Sequence, residues 1–220
     1  MAGPASSGLH TRAGNAMGRT RDGLLDGALA SIEREGLRGT TMAGISVRSG
    51  VAKATLYNHF RTKADVLAGI VEREVDRVAD LAGSVLAEPD GSLADALDRA
   101  AEALGALPAA RRLATTEPAA LTPLIAPDPA PTAVAPGWRH AQRRTGELLG
   151  APADGPLVDL VLRWLAGQLL VPAEPETRRH TATLLAHSAA SAAAAGPESV
   201  SPATPVSPEP APAGTTGTST

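Results

Sequence analysis

The chain has 220 residues, 43% of them hydrophobic, so it is long enough to bury a core in one large or two small domains. It contains no cysteine, which excludes disulfide frameworks, thiolate metal sites and cysteine nucleophiles. The net charge is −3, and no run of about eighteen apolar residues occurs, so we expect a cytoplasmic protein rather than a membrane-inserted or secreted one.

The charge is distributed unevenly along the chain. Between His10 and Lys63 there are nine basic and four acidic residues, a local net charge of +5, so the rest of the chain carries −8. A basic segment joined to an acidic body is typical of a protein that binds nucleic acid through one part only. Runs of charged residues are often only solvent-exposed helix faces. The individual residues of the basic segment are therefore needed to choose between nucleic-acid binding and an ordinary exposed surface.

The first predicted element is a helix over about residues 19 to 35. Its apolar residues recur at steps of three and four, at Leu25, Ala28, Leu29 and Ile32. Gly36 follows the last turn and is expected to end the helix. Gly23 and Gly27 each weaken it by roughly 1 kcal/mol, so either another element packs closely on that face or the helix is weak and held by its apolar stripe. Residues 1–18 are assigned to a flexible basic arm.

Two short helices joined by a tight turn are predicted next. Thr40 or Thr41 can cap the first helix, and Gly50 can make the turn. In the second helix Leu56 and Phe60 lie four residues apart on one face and are expected to point inward. This arrangement is typical of a helix-turn-helix motif, in which the second helix enters the major groove of DNA.

The remaining faces of the second helix are rich in hydrogen-bonding groups. They carry Ala54 and Asn58 opposite the buried face, Lys53 and Tyr57 on one flank, and Thr55 and His59 on the other. Such side chains can reach phosphates and base edges. Lys63 begins the following helix, where an ammonium group and a helix N-terminus can share one phosphate.

The chain beyond the motif is predicted to be mostly helical. Thr62 is expected to cap a long helix from Lys63 to about 87, and Ser92 a helix to about 107. Further helices are predicted at about 108–114, 117–124, 137–149, 156–170 and 176–195. The proline-rich segment 125–137 is predicted to be a loop, and the Pro-, Ser- and Thr-rich residues 196–220 to be a disordered tail.

The C-terminal half carries no motif, but four of its side chains are candidates for binding a small molecule. Trp138 and Trp164 are its only aromatic residues, although tryptophan more often fills a core. His140 and Gln168 are candidate polar groups in an otherwise apolar pocket, which would suit a small, fairly hydrophobic ligand. An ordinary structural role is the alternative for each of the four.

The segment TTMAGISVRSGVAKATLYNHFRTKADVL, residues 40–67, resembles the DNA-binding region of the tetracycline-repressor (TetR) family of bacterial regulators. The resembling positions are Thr40, Thr41, Ile45, Gly50, Val51, Lys53, Thr55, Leu56, Tyr57, His59, Phe60, Lys63, Val66 and Leu67. The resemblance extends over about residues 19 to 67. So many matching positions at the right spacing make a chance similarity improbable.

The resemblance implies an all-α homodimer. A three-helix helix-turn-helix DNA-binding domain, 19–64, would be followed by a larger helical ligand-binding and dimerisation domain, 65–195. The last two helices, about 156–170 and 176–195, would form the dimer interface. The implied function is that of a ligand-responsive repressor, which binds a roughly palindromic double-stranded DNA operator and a small effector and needs no cofactor.

The resemblance also implies roles for individual residues. Phosphate or sugar contacts are expected from Thr55, Tyr57, His59 and Lys63, and positions nearer the base edges from Lys53, Ala54 and Asn58. Thr41 and Arg48 are expected to belong to the same DNA-binding surface. The arm with Arg12, Arg19 and Arg21 would add phosphate contacts.

Two other classes of function were weighed against a regulator. An enzyme is not expected, because no G-x-S-x-G elbow and no Gly-rich phosphate loop occur. His180 and His187 are separated by roughly 10.5 Å along a helix, too far for a shared metal, so no metal site is expected either. The remaining alternative is a helical small-molecule-binding or partner-binding protein that does not regulate through DNA.

Overall fold

The computed structural model of the protein describes residues 7–121 and 135–195. Within these ranges the chain forms nine α-helices and one 3₁₀ turn, without a β-strand. The helices are α1 (Ser7–Gly39), α2 (Met42–Ser49), α3 (Lys53–His59), α4 (Lys63–Leu86), α5 (Leu93–Gly105), α6 (Pro108–Thr116), α7 (Ala135–Leu149), α8 (Pro156–Leu170) and α9 (Pro175–Ala195), with the 3₁₀ turn at Pro118–Ala120. The predicted all-α class is confirmed. No helix in the described part of the chain combines the length and the apolar character needed to cross a membrane.

Helix α1 is longer than predicted. It begins at Ser7 instead of 19, so residues 7–18, assigned from sequence to a flexible arm, are helical. Few large apolar residues occur there, and hydrophobic periodicity therefore gave no signal. The predicted break is confirmed: Gly36 has φ 76° and ψ 173°, a conformation open mainly to glycine, before the last turn of α1.

The two glycines of α1 differ in their surroundings. A Cβ atom at Gly27 would lie 2.8 Å from the Cβ of Ser49, so the end of α2 packs directly on the α1 backbone. A Cβ atom at Gly23 would meet nothing within 4 Å. The prediction of close packing is therefore confirmed at Gly27 and wrong at Gly23.

A first hydrophobic core joins the three N-terminal helices to the start of α4. Its fully buried members include Leu24, Leu25, Ile45, Leu56 and Val66. Helix α6 also belongs to this core, through Ala109 and Leu113. The helix-turn-helix is thus fixed both to the long helix that follows it and to a helix much further along the chain.

A second core holds the C-terminal helices together. Residues of α4, α5, α8 and α9 form it, with Val161 and Ala182 completely buried. Helix α8 is apolar around most of its circumference, as predicted, and also contributes Val158 to a smaller cluster with α7. Helices α4, α5, α7 and α8 also line the cavity described below.

Most of the remaining helix predictions are confirmed within a few residues. Thr62 caps α4 with a full capping box, and Ser92 caps α5. The helix predicted at 117–124 is wrong in its described part, because Pro118–Ala120 forms only a 3₁₀ turn. Helix α7 begins at Ala135, inside the predicted loop 125–137, and the rest of that loop and the tail 196–220 lie outside the described residues.

Candidate nucleic-acid interface and adjoining cavity

Helices α2 and α3 are joined by a turn that their own side chains secure. The Thr41 hydroxyl caps α2 by accepting a hydrogen bond from the Gly44 amide at 3.0 Å. Gly50 makes the turn with φ 67°, as its sequence position predicted. The Ser46 hydroxyl donates across the turn to the Val51 carbonyl at 2.7 Å. The angle between the two helices is therefore set before any ligand is bound.

The inner face of α3 is fully anchored. Leu56 is 0% exposed and Phe60, directly after the helix, is 4% exposed, as predicted. The Arg21 guanidinium lies 5.4 Å from the centre of the Phe60 ring and also pairs with Glu72 at 3.6 Å. Arg21 was predicted to contact phosphate, but here it is bound to the protein. This packing orients α3 rigidly.

The outer face of α3 is open to solvent. Lys53, Ala54 and Asn58 are exposed, Tyr57 is 42% exposed, and Thr55 and His59 are half-buried. Within the described residues, the side chains of Lys53, Thr55, Tyr57 and Asn58 take part in no hydrogen bond or ion pair. The structure therefore brings the predicted residues of α3 together on one surface with their polar groups free for a partner.

Two other cations predicted to bind DNA are occupied by the protein itself. The Lys63 ammonium donates to the carbonyls of Leu37 at 3.0 Å and Thr40 at 3.2 Å. Arg48 donates to the Ser31 hydroxyl at 3.0 Å and forms an ion pair with Glu35. Both side chains hold the end of α1 against the motif. A direct DNA contact would require part of these bonds to be exchanged.

Arg61 is a candidate that the assignment of site residues from sequence missed. It is exposed, directly follows the buried Phe60, and has no hydrogen bond or ion pair with another described residue. It also directly precedes Thr62, whose capping of α4 marks a helix N-terminus beside the outer face of α3. Its position between two helices of the motif was the available signal.

A cavity of about 240 Å³ lies among the helices that follow the motif. Residues of α4, α5, α6, α7 and α8 line it, and α1 contributes Leu29, Ile32 and Leu37. The lining is aliphatic apart from Trp138 and the polar side chains of Glu74, Arg144 and Thr145. An apolar space of this size, next to the core of the motif, is suited to a hydrophobic molecule.

Of the four side chains proposed from sequence as ligand contacts, only Trp138 lines this cavity. His140 instead contacts Asp76, with 2.7 Å between Nε2 and Oδ1, and so links α7 to α4. The amide of Gln168 accepts from the Ala173 backbone N–H at 2.9 Å, which closes the loop after α8. Trp164 packs against the second core. Hydrophobicity and polarity in the sequence did not reveal which side chains face inward.

Arg144 is the hub of an ion-pair network at the cavity wall. Its guanidinium lies 3.1 Å from Asp76, 2.7 Å from Asp80 and 2.9 Å from Glu147. The hydrogen bond to Glu147, together with the charges of the three carboxylates, raises the pKa of Arg144 above its ordinary value despite some desolvation. Arg144 is therefore a permanent, fully compensated cation that fixes α7 to α4.

A second polar link connects the cavity wall to α1. The Glu117 carboxylate, just after α6, accepts a hydrogen bond from the Arg38 backbone N–H at 3.1 Å. A Cβ atom at Gly36 would overlap Glu117 Oε1, so only glycine leaves room for this contact. The same end of α1 supplies the Leu37 carbonyl that Lys63 binds. The wall of the cavity and the motif thus share one stretch of backbone.

The surface of the last two helices carries uncovered apolar side chains. Leu160 on α8 is 50% exposed and Leu184 on α9 is 54% exposed.

In residues 7–121 and 135–195 no cluster of three or more His, Asp or Glu side chains could hold a metal ion, and His180 and His187 are both exposed.

Comparison with known proteins identifies a family for part of this sequence. Residues 24–70 match the family model for bacterial regulatory proteins, tetR family. This range contains most of α1, all of α2 and α3, and the first turns of α4. None of the curated proteins matches the chain significantly.

Solved structures share the fold over most of the chain. The TetR family repressor AlkX from Dietzia sp. strain DQ12-45-1b, implicated in biodegradation of n-alkanes, is 15% identical, with a TM-score of 0.60 over 78% of this chain and 95% of that one. The R. erythropolis transcriptional repressor QsdR is 20% identical, with a TM-score of 0.51 over 76% and 94%. A TetR family member from Streptomyces coelicolor A3 is 20% identical, with a TM-score of 0.50 over 76% and 98%. At these identities the likeness shows a common fold.

Proposed function

We propose that the chain is a ligand-responsive, homodimeric transcriptional repressor of the tetR family of bacterial regulatory proteins, whose family model matches residues 24–70. The observation that carries the proposal is the free outer face of α3. Lys53, Tyr57 and Asn58 project from a rigidly anchored helix and have no partner among the described residues. An exposed aromatic ring among hydrogen-bond donors on a well-packed helix is suited to contacts with the DNA backbone and bases.

Dimerisation would bring two copies of this surface onto one face of DNA. The exposed Leu160 and Leu184 on α8 and α9 are suited to an isologous contact, in which each copy buries the same patch. The two reading helices would then be related by a two-fold axis. Such a dimer binds a roughly palindromic operator, with half-sites about 34–36 Å or a multiple of that distance apart.

An effector in the cavity would act through the side chains that the cavity and the motif share. Leu29, Ile32 and Leu37 of α1 both line the cavity and belong to or pack against the first core. A ligand that fits the cavity better in one arrangement of these side chains shifts the population towards that arrangement. We propose that the ligand-bound arrangement separates the two reading helices from their half-sites, so that repression is relieved.

The test is fluorescence anisotropy with duplexes that tile the DNA flanking the gene, at two salt concentrations. We expect tight binding to one roughly palindromic tile, weakened by salt and lost in a Lys53→Ala, Tyr57→Ala double variant. Arg139→Ala removes from α7 an exposed cation that has no ion pair with another described residue, and serves as the matched charge control, which should bind normally. Binding to no tile, or equal binding by the double variant, would instead favour a helical ligand-binding protein that does not act through DNA.

Single substitutions on α3 should separate base reading from backbone contact. Tyr57→Phe removes one hydroxyl and is expected to weaken binding to every duplex by a similar factor. Asn58→Ala is expected to change the order of preference among operator variants, by about 1–3 kcal/mol at the affected base pair. Equal losses for Asn58→Ala on the operator and on a scrambled duplex would contradict its role in base reading.

A further inference from the structure

The cavity is long and narrow. Its lining residues on α4 run from Leu67 to Leu86, which at 1.5 Å per residue is about 28 Å. A sphere with the cavity volume of 240 Å³ would be only about 8 Å across. The space is therefore a channel along α4 rather than a round pocket. A flexible chain can follow such a channel along its length.

The channel disfavours charged ligands of either sign. A carboxylate near Arg144 would meet Asp76, Asp80 and Glu147, which already surround this arginine. A cation near Glu74 would have to displace Arg77, whose Nε lies 2.7 Å from the Glu74 carboxylate. It would also be repelled by Arg73, whose guanidinium lies 3.5 Å from the same carboxylate. Both charged groups of the lining are thus neutralised by the protein itself, and a new charge would be desolvated without a partner.

Thr145 is the remaining polar side chain of the lining, and its hydroxyl is free. Several helical threonines in the structure donate to the carbonyl four residues earlier, as Thr181 and Thr183 do at 2.9 Å. Among the described residues Thr145 has no such bond, although it lies within α7 and lines the channel. A hydroxyl in this setting can hydrogen-bond to one group of a ligand.

We propose that the channel binds an uncharged molecule built of a flexible aliphatic chain with one hydroxyl or carbonyl group, and that Thr145 hydrogen-bonds to that group. This inference rests on the ligand-binding role proposed above and specifies its chemistry. The aliphatic lining supplies affinity in proportion to the chain length that is buried. The single free hydroxyl supplies the orientation.

The fluorescence of Trp138 provides a direct measurement of ligand binding in the absence of DNA. Because the chain contains two tryptophans, a Trp164→Phe variant leaves Trp138, which lines the channel, as the sole indole fluorophore. Titration with the straight-chain alcohols from 1-hexanol to 1-tetradecanol should show affinity rising about fourfold per methylene until the channel is full. Affinity that does not depend on chain length would overturn the proposal.

The head group and the shape of the ligand are tested with matched probes. Decanoate and decyltrimethylammonium should bind at least about tenfold more weakly than 1-decanol, because each brings an uncompensated charge. The planar 1-naphthol should also bind more weakly than 1-decanol. Equal or tighter binding of any of these three probes would contradict an uncharged, flexible ligand.

The role of Thr145 is tested by variants that keep its size. Thr145→Val should weaken binding of 1-decanol up to about tenfold and leave 1-chlorodecane unaffected, whereas Thr145→Ser should retain the affinity for the alcohol. If Thr145→Val weakens the binding of both ligands to the same extent, while circular dichroism shows unchanged helicity, Thr145 has only a packing role. This result would overturn the proposed hydrogen bond from Thr145 to the ligand.

DNA anisotropy on the same samples separates this inference from the proposed function. If the alcohols fail to bind while the operator is bound, the ligand class is wrong and the regulator proposal stands. If the alcohols bind with the expected selectivity but leave operator affinity unchanged, the ligand class is supported and the proposed ligand response is contradicted. If 1-decanol releases the parent protein from the operator but does not release the Thr145→Val variant at the same concentration, both the ligand class and the proposed ligand response are supported.

Discussion

At the scale of single residues, the cations of the motif fall into two groups. Lys63 and Arg48 bind carbonyl and carboxylate groups of the protein, whereas Lys53 and Arg61 have no partner in the described part of the chain. The sequence placed all of these residues correctly relative to the helices. It could not separate the two groups, because the acceptors of Lys63 lie in the last turn of α1 and just after it, more than twenty residues away.

This division predicts different outcomes for Arg61→Ala and Lys63→Ala. Arg61→Ala should leave the free energy of unfolding within about 0.5 kcal/mol of the parent and lower the salt dependence of DNA binding by about one phosphate contact. Lys63→Ala should lower the free energy of unfolding by about 1 kcal/mol or more, because two carbonyl groups lose a charged donor. Urea denaturation and anisotropy over a salt series measure the two effects. Equal stability losses in both variants would contradict the distinction.

At the scale of elements, the end of α1 is the point where several helices meet. Gly36 breaks the helix, Glu117 binds the freed Arg38 N–H, and Lys63 at the start of α4 binds the Leu37 carbonyl. Helix α6, which precedes Glu117, also lines the cavity. Movement of α6 would therefore be transmitted to backbone atoms that hold the DNA-binding motif in place.

Substitution of Gly36 should expose this junction as a source of stability. Gly36→Ala is expected to lower the free energy of unfolding by about 1–3 kcal/mol from backbone strain, and further because its Cβ atom meets Glu117. Gly50→Ala is the control, since Gly50 also has positive φ but has nothing within 4 Å of an added Cβ. In a Glu117→Ala background, the loss of unfolding free energy caused by Gly36→Ala should be smaller by at least about 0.5 kcal/mol, as measured by urea denaturation. An unchanged cost would mean that Glu117 does not constrain the junction.

Elements with a strong apolar stripe could be predicted from the sequence, and α4 and α8 were placed nearly to the residue. The start of α1 could not, because residues 7–18 lack that stripe. The outer face of α3 followed from helical spacing alone. The cavity did not, since its lining is drawn from six helices whose relative positions are set by tertiary packing. Arg144, Glu74 and Thr145 gave no local signal of facing inward.

At the scale of the whole molecule, the single chain exposes apolar side chains on its last two helices, which are far in sequence from the helix-turn-helix motif. Leu160 and Leu184 are about half exposed on neighbouring helices of the fold. In the proposed dimer, operator binding by two reading helices depends on the association of two chains, so the stability of that association would enter directly into DNA affinity.

Introduction of a charge at this surface should therefore separate the copies. Leu184→Asp places two like charges near the two-fold axis and is expected to shift the protein to monomers in analytical ultracentrifugation, with a loss of operator affinity of at least about tenfold. Ala119→Asp adds the same charge at an exposed position near α6 and should leave the mass unchanged. A dimer of undiminished stability in Leu184→Asp would place the interface elsewhere.

A ligand in the channel would also affect the lifetime of the protein. A ligand that binds only the folded form stabilises it by RT ln(1 + [L]/Kd), which is about 2.7 kcal/mol at a ligand concentration of 100 Kd. Since natural domains are stable by only about 5–15 kcal/mol, the unliganded form should open more often and be cleaved more readily by proteases. The effector would then control how much of the protein a cell holds as well as where it binds, with abundance rising when ligand is plentiful and falling when it is scarce.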